Sequence, residues 1–322
     1  MKKTLICALA LVLVVGMLSG CGFDANTVAT VNGEKISKDL YTFFLTQVKM
    51  QLASQHGIED DAAWESAEID GKKAIDAAKD KALDEIVNQL IIIQRAKDDG
   101  IKLTDDQKKT VQTQIDNNIQ QSGGAEAFDG MLTENGLTMV LYQTLMNNSY
   151  IQNLYADKNI TTTGNSFNEA YDRDVSLVKH ILIQTVDEER QPLPDDQILA
   201  AEAKANALLV RAQNGEDFDA LVADNSEDPG SKSQPDGYYI YEGSGMVAEF
   251  EAASLRLAVG EISDIVKTSF GYHIIKRYPD EARGGAQQYL GTYKAAKMQE
   301  LAEKFKVDAK IKINKEVYDE IK

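Results

Sequence analysis

The sequence predicts an α+β protein: a mainly helical chain interrupted by one block where short strands and helices mix. Three observations predict it. From about Asp70 to Asp98 apolar residues recur every three or four positions, the period of a helix with one buried face. At Val175 the pattern changes to short aliphatic runs bounded by turn residues, as in strands. Past Pro279 a helical pattern returns and closes on an alternating stretch.

The first element is not part of the fold. Lys2 and Lys3 precede an apolar run from Leu5 to Leu18, then Ser19, Gly20 and Cys21. A basic start, a short apolar stretch and small residues before a cut make residues 1–20 a secretory signal. The run is short for a membrane-spanning helix, which needs roughly twenty residues. The Leu18-Ser19-Gly20-Cys21 ending reads as a lipobox, with Cys21 acylated and residues 21–26 as lipidated N-terminus and spacer. Each buried CH2 contributes about 0.8 kcal/mol, so two or more acyl chains hold stably where one does not. The other cysteine, Cys7, leaves with the signal, and the remaining chain has no disulfide. The expected location is the extracytoplasmic face of the cell membrane.

Thr27 to Val31 reads as a strand and Asn32-Gly33 as a tight turn. Ser37 caps a helix from about Lys38 into the fifties, broken between Gly57 and Asp61. In the next helix Leu83, Ile86, Val87, Leu90 and Ile91 form one stripe, which reads as core, and Gly100 ends it. Thr104 and Gln107 form a capping box for a polar helix that stops at Gly123-Gly124. Helices follow from Ala125 to Gly136 and from Leu137 towards Tyr155. Thr161 to Asn165 is a linker, and Ser166 with Glu169 forms a second capping box for a short helix ending before Val175.

Val178 to Ile183 reads as a strand, Gln191 to Pro194 as a loop, 196–213 as an Ala-rich helix and Phe218 to Val222 as a short one. Asn225 to Gly237 holds two of the five prolines and reads as turns. Phe250 to Leu257 is a helix. Ile265-Val266 and His273 to Lys276 are strands either side of a Phe270-Gly271 turn. A last helix spans about Ala286 to Phe305, and Lys306 to Ile313 reads as a strand.

The net charge is −17, and loss of residues 1–20 removes two lysines and no acid. Such a chain lacks the basic surface that nucleic-acid binding requires. Its acidity fits a body standing off an anionic membrane, and equally fits plain solubility.

Two of the three histidines, His180 and His273, sit on or beside aliphatic strands. Taken alone, such a histidine reads as a core residue. The motifs around them read otherwise. They are Val178-Lys179-His180-Ile181-Leu182-Ile183, Gly215 to Leu221, Asn225-Ser226-Glu227-Asp228, Gly237-Tyr238-Tyr239, Gly245-Met246-Val247 leading to Phe250, Gly260-Glu261-Ile262-Ser263, and Val266 to Ile275. In this order and spacing they resemble the parvulin family of peptidyl-prolyl isomerases across residues 175–278. The resemblance implies an antiparallel four-stranded sheet with surrounding helices. It implies catalytic roles for His180 and His273, held together by hydrogen bonding, with Asp228 where the family has Cys or Asp and Thr268 as a supporting hydroxyl. Met246 and Phe250 match the floor of a proline pocket, Tyr238 a large apolar wall residue, and Phe270 its edge. With Asp228 in place of Cys, a thiol nucleophile is excluded. Two His and one Asp also make a facial-triad set on paper, but a metal-free family already accounts for them, so no metal and no cofactor is expected. The chain departs from the family at Asp236, where the first of two glycines is usual, and around Pro192 and Pro194, which read as an insertion.

Val28 to Ser37 and Ala96 to Ile101 resemble the chaperone domain of exported foldases of the SurA and PrsA type. That resemblance implies that 27–174 and 280–322 form one mainly helical chaperone domain, with the parvulin domain, 175–279, inserted. The implied partners are unfolded or newly exported proteins containing proline, and the membrane through the N-terminal lipid; a homodimer is left open. The competing reading is a non-catalytic holdase with a vestigial parvulin domain.

Overall fold

The computed structural model describes residues 23–321 except Glu59; the signal segment and Cys21 lie outside the described residues. The chain forms β1 (Thr27–Val31), β2 (Glu34–Ser37), α1 (Lys38–His56), α2 (Asp61–Ser66), β3 (Glu68–Ile69), β4 (Lys72–Lys73) and α3 (Ala74–Asp98). Then come α4 (Asp105–Gln121), α5 (Ala125–Glu134), α6 (Met139–Asn159) and α7 (Asn165–Asp174). The strand-bearing block holds β5 (Ser176–Gln184), α8 (Asp195–Gln213), α9 (Phe218–Asn225), α10 (Pro229–Ser233), β6 (Tyr238–Ile240), α11 (Ala248–Arg256), β7 (Val266–Lys267) and β8 (Gly271–Tyr278). It is followed by α12 (Ala286–Lys306), β9 (Ile311–Ile313) and α13 (Lys315–Glu320). Among the described residues no helix is long and apolar enough to cross a membrane.

The chain divides into two compact units. One runs through Ile91 and adds Leu103–Asn148 and the chain from Lys306; the other is Ile92–Lys102 with Ser149–Phe305. In the first, β1 is the middle strand of a β2-β1-β9 sheet, so the end of the chain pairs with its start. Asn32 and Gly33 take the positive φ values, 53° and 91°, that a two-residue hairpin turn needs. Ser37 accepts from the Leu40 amide, and the Thr104–Gln107 capping box is present in full. The α3 stripe from Leu83 to Ile91 is buried, as a core stripe must be.

Three expectations are corrected. A β3–β4 hairpin turning at Asp70-Gly71 occupies the expected start of the long helix, which begins at Ala74. The Ser166–Glu169 capping box does not form, because α7 starts at Asn165 with Gly164 as its cap. The final strand is only three residues long, because α12 takes in Lys306 and a turn follows it, with the Ala309 amide donating to the Lys306 carbonyl.

In the second unit the expected four-stranded antiparallel sheet is present in the order β6-β5-β8-β7. One face carries Ile181, Ile183, Tyr272 and Ile274, which pack on α8 and α9 through Ala205, Leu208, Phe218 and Leu221. The other carries Val178 and Ile275, which pack on Phe250 of α11 and on Leu257, which caps its end. Where the chain enters and leaves this sheet, Tyr171 donates to Asp280 at 2.5 Å and accepts from the Gly285 amide at 2.9 Å.

Candidate active site

Alternation along β5 and β8 puts both histidines on the α11 face. On β5, His180 shares its face with Val178, while Ile181 and Ile183 face α8. On β8, His273 shares its face with Ile275. The register pairs His180 with Ile275 and Leu182 with His273, so the histidines are diagonal neighbours across the ladder. Their ring centroids lie 5.3 Å apart. Phe250 meets both rings edge-on, at 4.9 Å and 5.2 Å. Both imidazoles are buried, at 6% and 5% exposure.

The hydrogen bonds run outward from the pair. Thr268 Oγ1 lies 2.9 Å from His273 Nε2 and accepts the Phe270 amide at 3.1 Å. Donation of the Thr268 proton to Nε2 satisfies all three groups and leaves the ring proton on Nδ1. Asp228 Oδ2 lies 3.5 Å from His180 Nε2. The resemblance implied that hydrogen bonding holds the two rings together. In the structure each Nδ1 is buried without a hydrogen-bond partner among the described residues, and the ring hydrogen bond at the pair is that of His273 Nε2 with Thr268.

Asp228 is held by the start of α10. Its Oδ1 accepts the Gly230 amide at 3.2 Å, and its Oδ2 accepts the Ser231 amide and hydroxyl, both at 2.8 Å. The Tyr238 hydroxyl donates to the same Oδ2 at 2.6 Å. The segment before it is clamped to β5. Leu182 N–H donates to Ser226 Oγ at 3.1 Å, Glu227 N–H donates to Leu182 O at 2.8 Å, and Gln184 N–H donates to Glu227 Oε2 at 2.7 Å.

Burial holds both histidines below their ordinary range. His273 is brought down to about 3, with His180 adding to the effect and Asp228 opposing it. His180 is lowered by burial, again against the pull of Asp228. Both are therefore uncharged at neutral pH. For Asp228 burial pushes upward, but bonds from Tyr238 and Ser231, with His180 and the Gly230 amide, outweigh it and hold the carboxyl below its usual value. The cluster is one fixed anion beside two neutral imidazoles.

The eight residues expected in and around the pocket all lie in the second unit. His180, His273, Thr268 and Asp228 form the polar cluster, and Phe250 and Tyr238 pack against the His180 ring. Phe270 is half-buried with the Arg190 guanidinium 5.4 Å above its ring. Met246 precedes α11 and is 37% exposed, the most solvent-facing of the set. Asp236 is exposed and keeps a negative φ, so it needs no glycine; the left-handed position belongs to Gly237, at φ 99°. Ser226 and Ser231 were missed. The Asp228-Pro229-Gly230-Ser231 run is a helix N-cap followed by proline at the first helical position, and that signal could have found Ser231.

Comparison with known proteins identifies the two regions of the chain. Residues 166–278 match the family model described as a PPIC-type PPIase domain, and residues 1–156 match the SurA-like N-terminal domain. The foldase protein PrsA of Caldanaerobacter subterraneus is 30% identical over 339 residues, covering 100% of this chain and 94% of that one. The chain belongs to the PrsA foldase family. A PrsA of Clostridium perfringens is 29% identical over 318 residues, covering 92% of this chain and 87% of the relative. The crystal structure of the peptidylprolyl isomerase PrsA from Bacillus anthracis aligns at 22% identity and a TM-score of 0.32, covering 69% of this chain and 95% of that one. As a PrsA-family protein the chain is a folding factor with a parvulin-type domain, and the matched span contains all eight candidate site residues.

Proposed function

We propose that the chain catalyses cis–trans isomerisation of X–Pro bonds in unfolded, exported clients, with His180, Asp228, His273 and Thr268 as its catalytic cluster. The observation that supports this is the pair of buried imidazoles on one sheet face, with the Asp228 carboxylate at 3.5 Å and Phe250 edge-on to both rings.

The reaction asks for such a set. In a planar amide the nitrogen lone pair is shared with the carbonyl, and the barrier to rotation is about 18–20 kcal/mol. Twisting returns the pair to nitrogen and leaves the oxygen less negative. An anion near that oxygen disfavours the planar forms, and an N–H near the nitrogen favours the twisted one. A neutral imidazole supplies an N–H without attracting a permanent anion, and no covalent bond need break. Tyr238, Met246, Phe250 and Phe270 would hold the proline ring. A protease-coupled tetrapeptide assay on the full chain tests this. Catalysis above background is expected, and His273→Ala should lower kcat/KM by at least about tenfold, or about 1.4 kcal/mol. A wild-type rate equal to background defeats the reading.

The division into a chaperone part, 27–174 with 280–322, and a catalytic part, 175–279, belongs to the same proposal. The pairing of β9 with β1 supports it. The anchor belongs to the proposal as well: the Cys21 motif supports a lipid tether on the extracytoplasmic face of the membrane. Cells expressing the chain and fed labelled palmitate should mark the wild type and not Cys21→Ser; equal labelling of both refutes the anchor.

A further inference from the structure

An apolar wall does not need a hydroxyl, yet Tyr238 has one, and the structure uses it. It donates at 2.6 Å to Asp228 Oδ2, the oxygen that faces His180 Nε2 at 3.5 Å. We propose that Tyr238 is a positioning residue, whose hydroxyl fixes the Asp228 carboxylate against His180. This rests on the reading of the cluster as an isomerase site.

Three observations carry it. First, the other donors to the carboxylate, the Gly230 and Ser231 amides and the Ser231 hydroxyl, all come from α10, the helix that Asp228 itself caps. They fix the carboxylate relative to α10 alone. Tyr238 comes from β6, where it is paired with Val178 of β5, two residues from His180. Ser226 and Glu227 tie the backbone of this segment to β5, and the Tyr238 bond ties the side chain to the same frame. Second, a Cβ on Gly230 would overlap the Tyr238 hydroxyl and stand 3.3 Å from Asp228 Oδ2. The hydroxyl occupies a slot that exists because residue 230 is glycine. Third, the Tyr238 ring contacts the His180 ring on its own account, centroid to centroid at 5.5 Å. Ring and hydroxyl are thus separable: one lines the pocket, the other aims the carboxylate.

The direction of the Asp228 titration agrees. The Tyr238 bond is the largest of the influences that hold the carboxyl down against burial. A phenylalanine at 238 leaves the ring contact and removes that bond. The carboxyl then rises, takes up a proton at higher pH, and is free to turn away from His180.

The test uses the full chain with Tyr238→Phe, Asp228→Asn, the double variant, and Gly230→Ala, which attacks the same contact from the opposite side. Tyr238→Phe should lower kcat about tenfold and leave KM within about twofold, since the ring stays. The acid limb of its pH profile should move to higher pH. In the Asp228→Asn background the same substitution should change kcat by less than about twofold, because a residue acting through another has nothing left to act on. Gly230→Ala should reproduce the shifted limb. A change confined to KM, or an equal loss in both backgrounds, overturns the proposal and leaves Tyr238 as a wall. The carboxyl titration of Asp228, followed by carbon NMR, reads the bond without any turnover. If the wild type proves inactive, the isomerase reading falls, and the NMR titration still decides this one. A raised Asp228 pKa in Tyr238→Phe upholds it, and an unchanged one overturns it.

Discussion

Replacing Gly271 with alanine is expected to destabilise strongly the sheet that carries both histidines. Gly271 opens β8 at φ 148°, where side-chain-bearing residues are rarely found. A Cβ there would overlap the Ile183 carbonyl oxygen and lie 2.9 Å from Gln184 Cα. Both belong to the backbone of β5, a central strand, so nothing nearby can rotate out of the way. Backbone strain and overpacking together are expected to cost about 3–5 kcal/mol, against a total stability on the order of 5–15 kcal/mol. Gly215 is the control. Its φ is 87°, but a Cβ would meet nothing within 4 Å, so alanine there should cost about 1 kcal/mol. Amide exchange of Ile181 and Ile183 in the full chain makes the comparison. Near-native protection in Gly271→Ala would contradict the packing argument.

Acid should loosen the same sheet well before the carboxylates protonate. In the unfolded chain His180 and His273 titrate near 6.5. Folded, burial lowers both, His273 to about 3. Between those values the unfolded state binds protons that the folded state declines, so stability rises with pH and is lost as pH falls through this window. Between pH 6.5 and 5 the loss from His273 alone is about 2 kcal/mol. Asp228 acts in the same direction but lower. Its folded value is depressed, so its contribution is present above the ordinary carboxylate value, near 3.8, and lost below it. Urea midpoints of wild type and His273→Gln at pH 7.5, 6 and 5 separate this from the relief of the acidic net charge, which the two proteins share. Wild type should fall more steeply with acid. Parallel lines for the two proteins would mean that His273 is not held neutral.

The two central strands and their histidines were legible because strands write their period into the sequence, whereas β6 was expected only from the motif resemblance. Val178 to Ile183 and Gly271 to Tyr278 carry enough aliphatic residues to show two faces, and the motif resemblance singled out the two histidines within them. Capping was legible at Ser37 and Thr104, where a side chain precedes a continuous helical run. It misled at Ser166, because Gly164 reached the cap position first and placed Ser166 inside the first turn. The α10 turn was hidden by its own residues: Pro229, Gly230 and Ser231 are common both in loops and at helix starts. The Tyr238–Asp228 bond was not legible. Ten residues separate the partners, and only the pairing of β6 with β5 brings them together. Sequence reports that residue 238 is large and aromatic, but not where its oxygen points.

The clamp of Ser226 and Glu227 on β5 bears on release. Beyond Val178, where β6 stops, the outer side of β5 would be a row of unpaired amides and carbonyls beside the site. Open strand edges of that kind recruit extended peptides by adding them as a further strand. Here Leu182 N–H and O and Gln184 N–H are already engaged. On the proposed reading, a client lying along the histidines would find no ladder to join there, and its grip would be limited to the pocket and to whatever its side chains touch. A catalyst that meets many sequences in turn needs each of them to leave, and sealing this edge keeps a visiting chain from becoming part of the sheet.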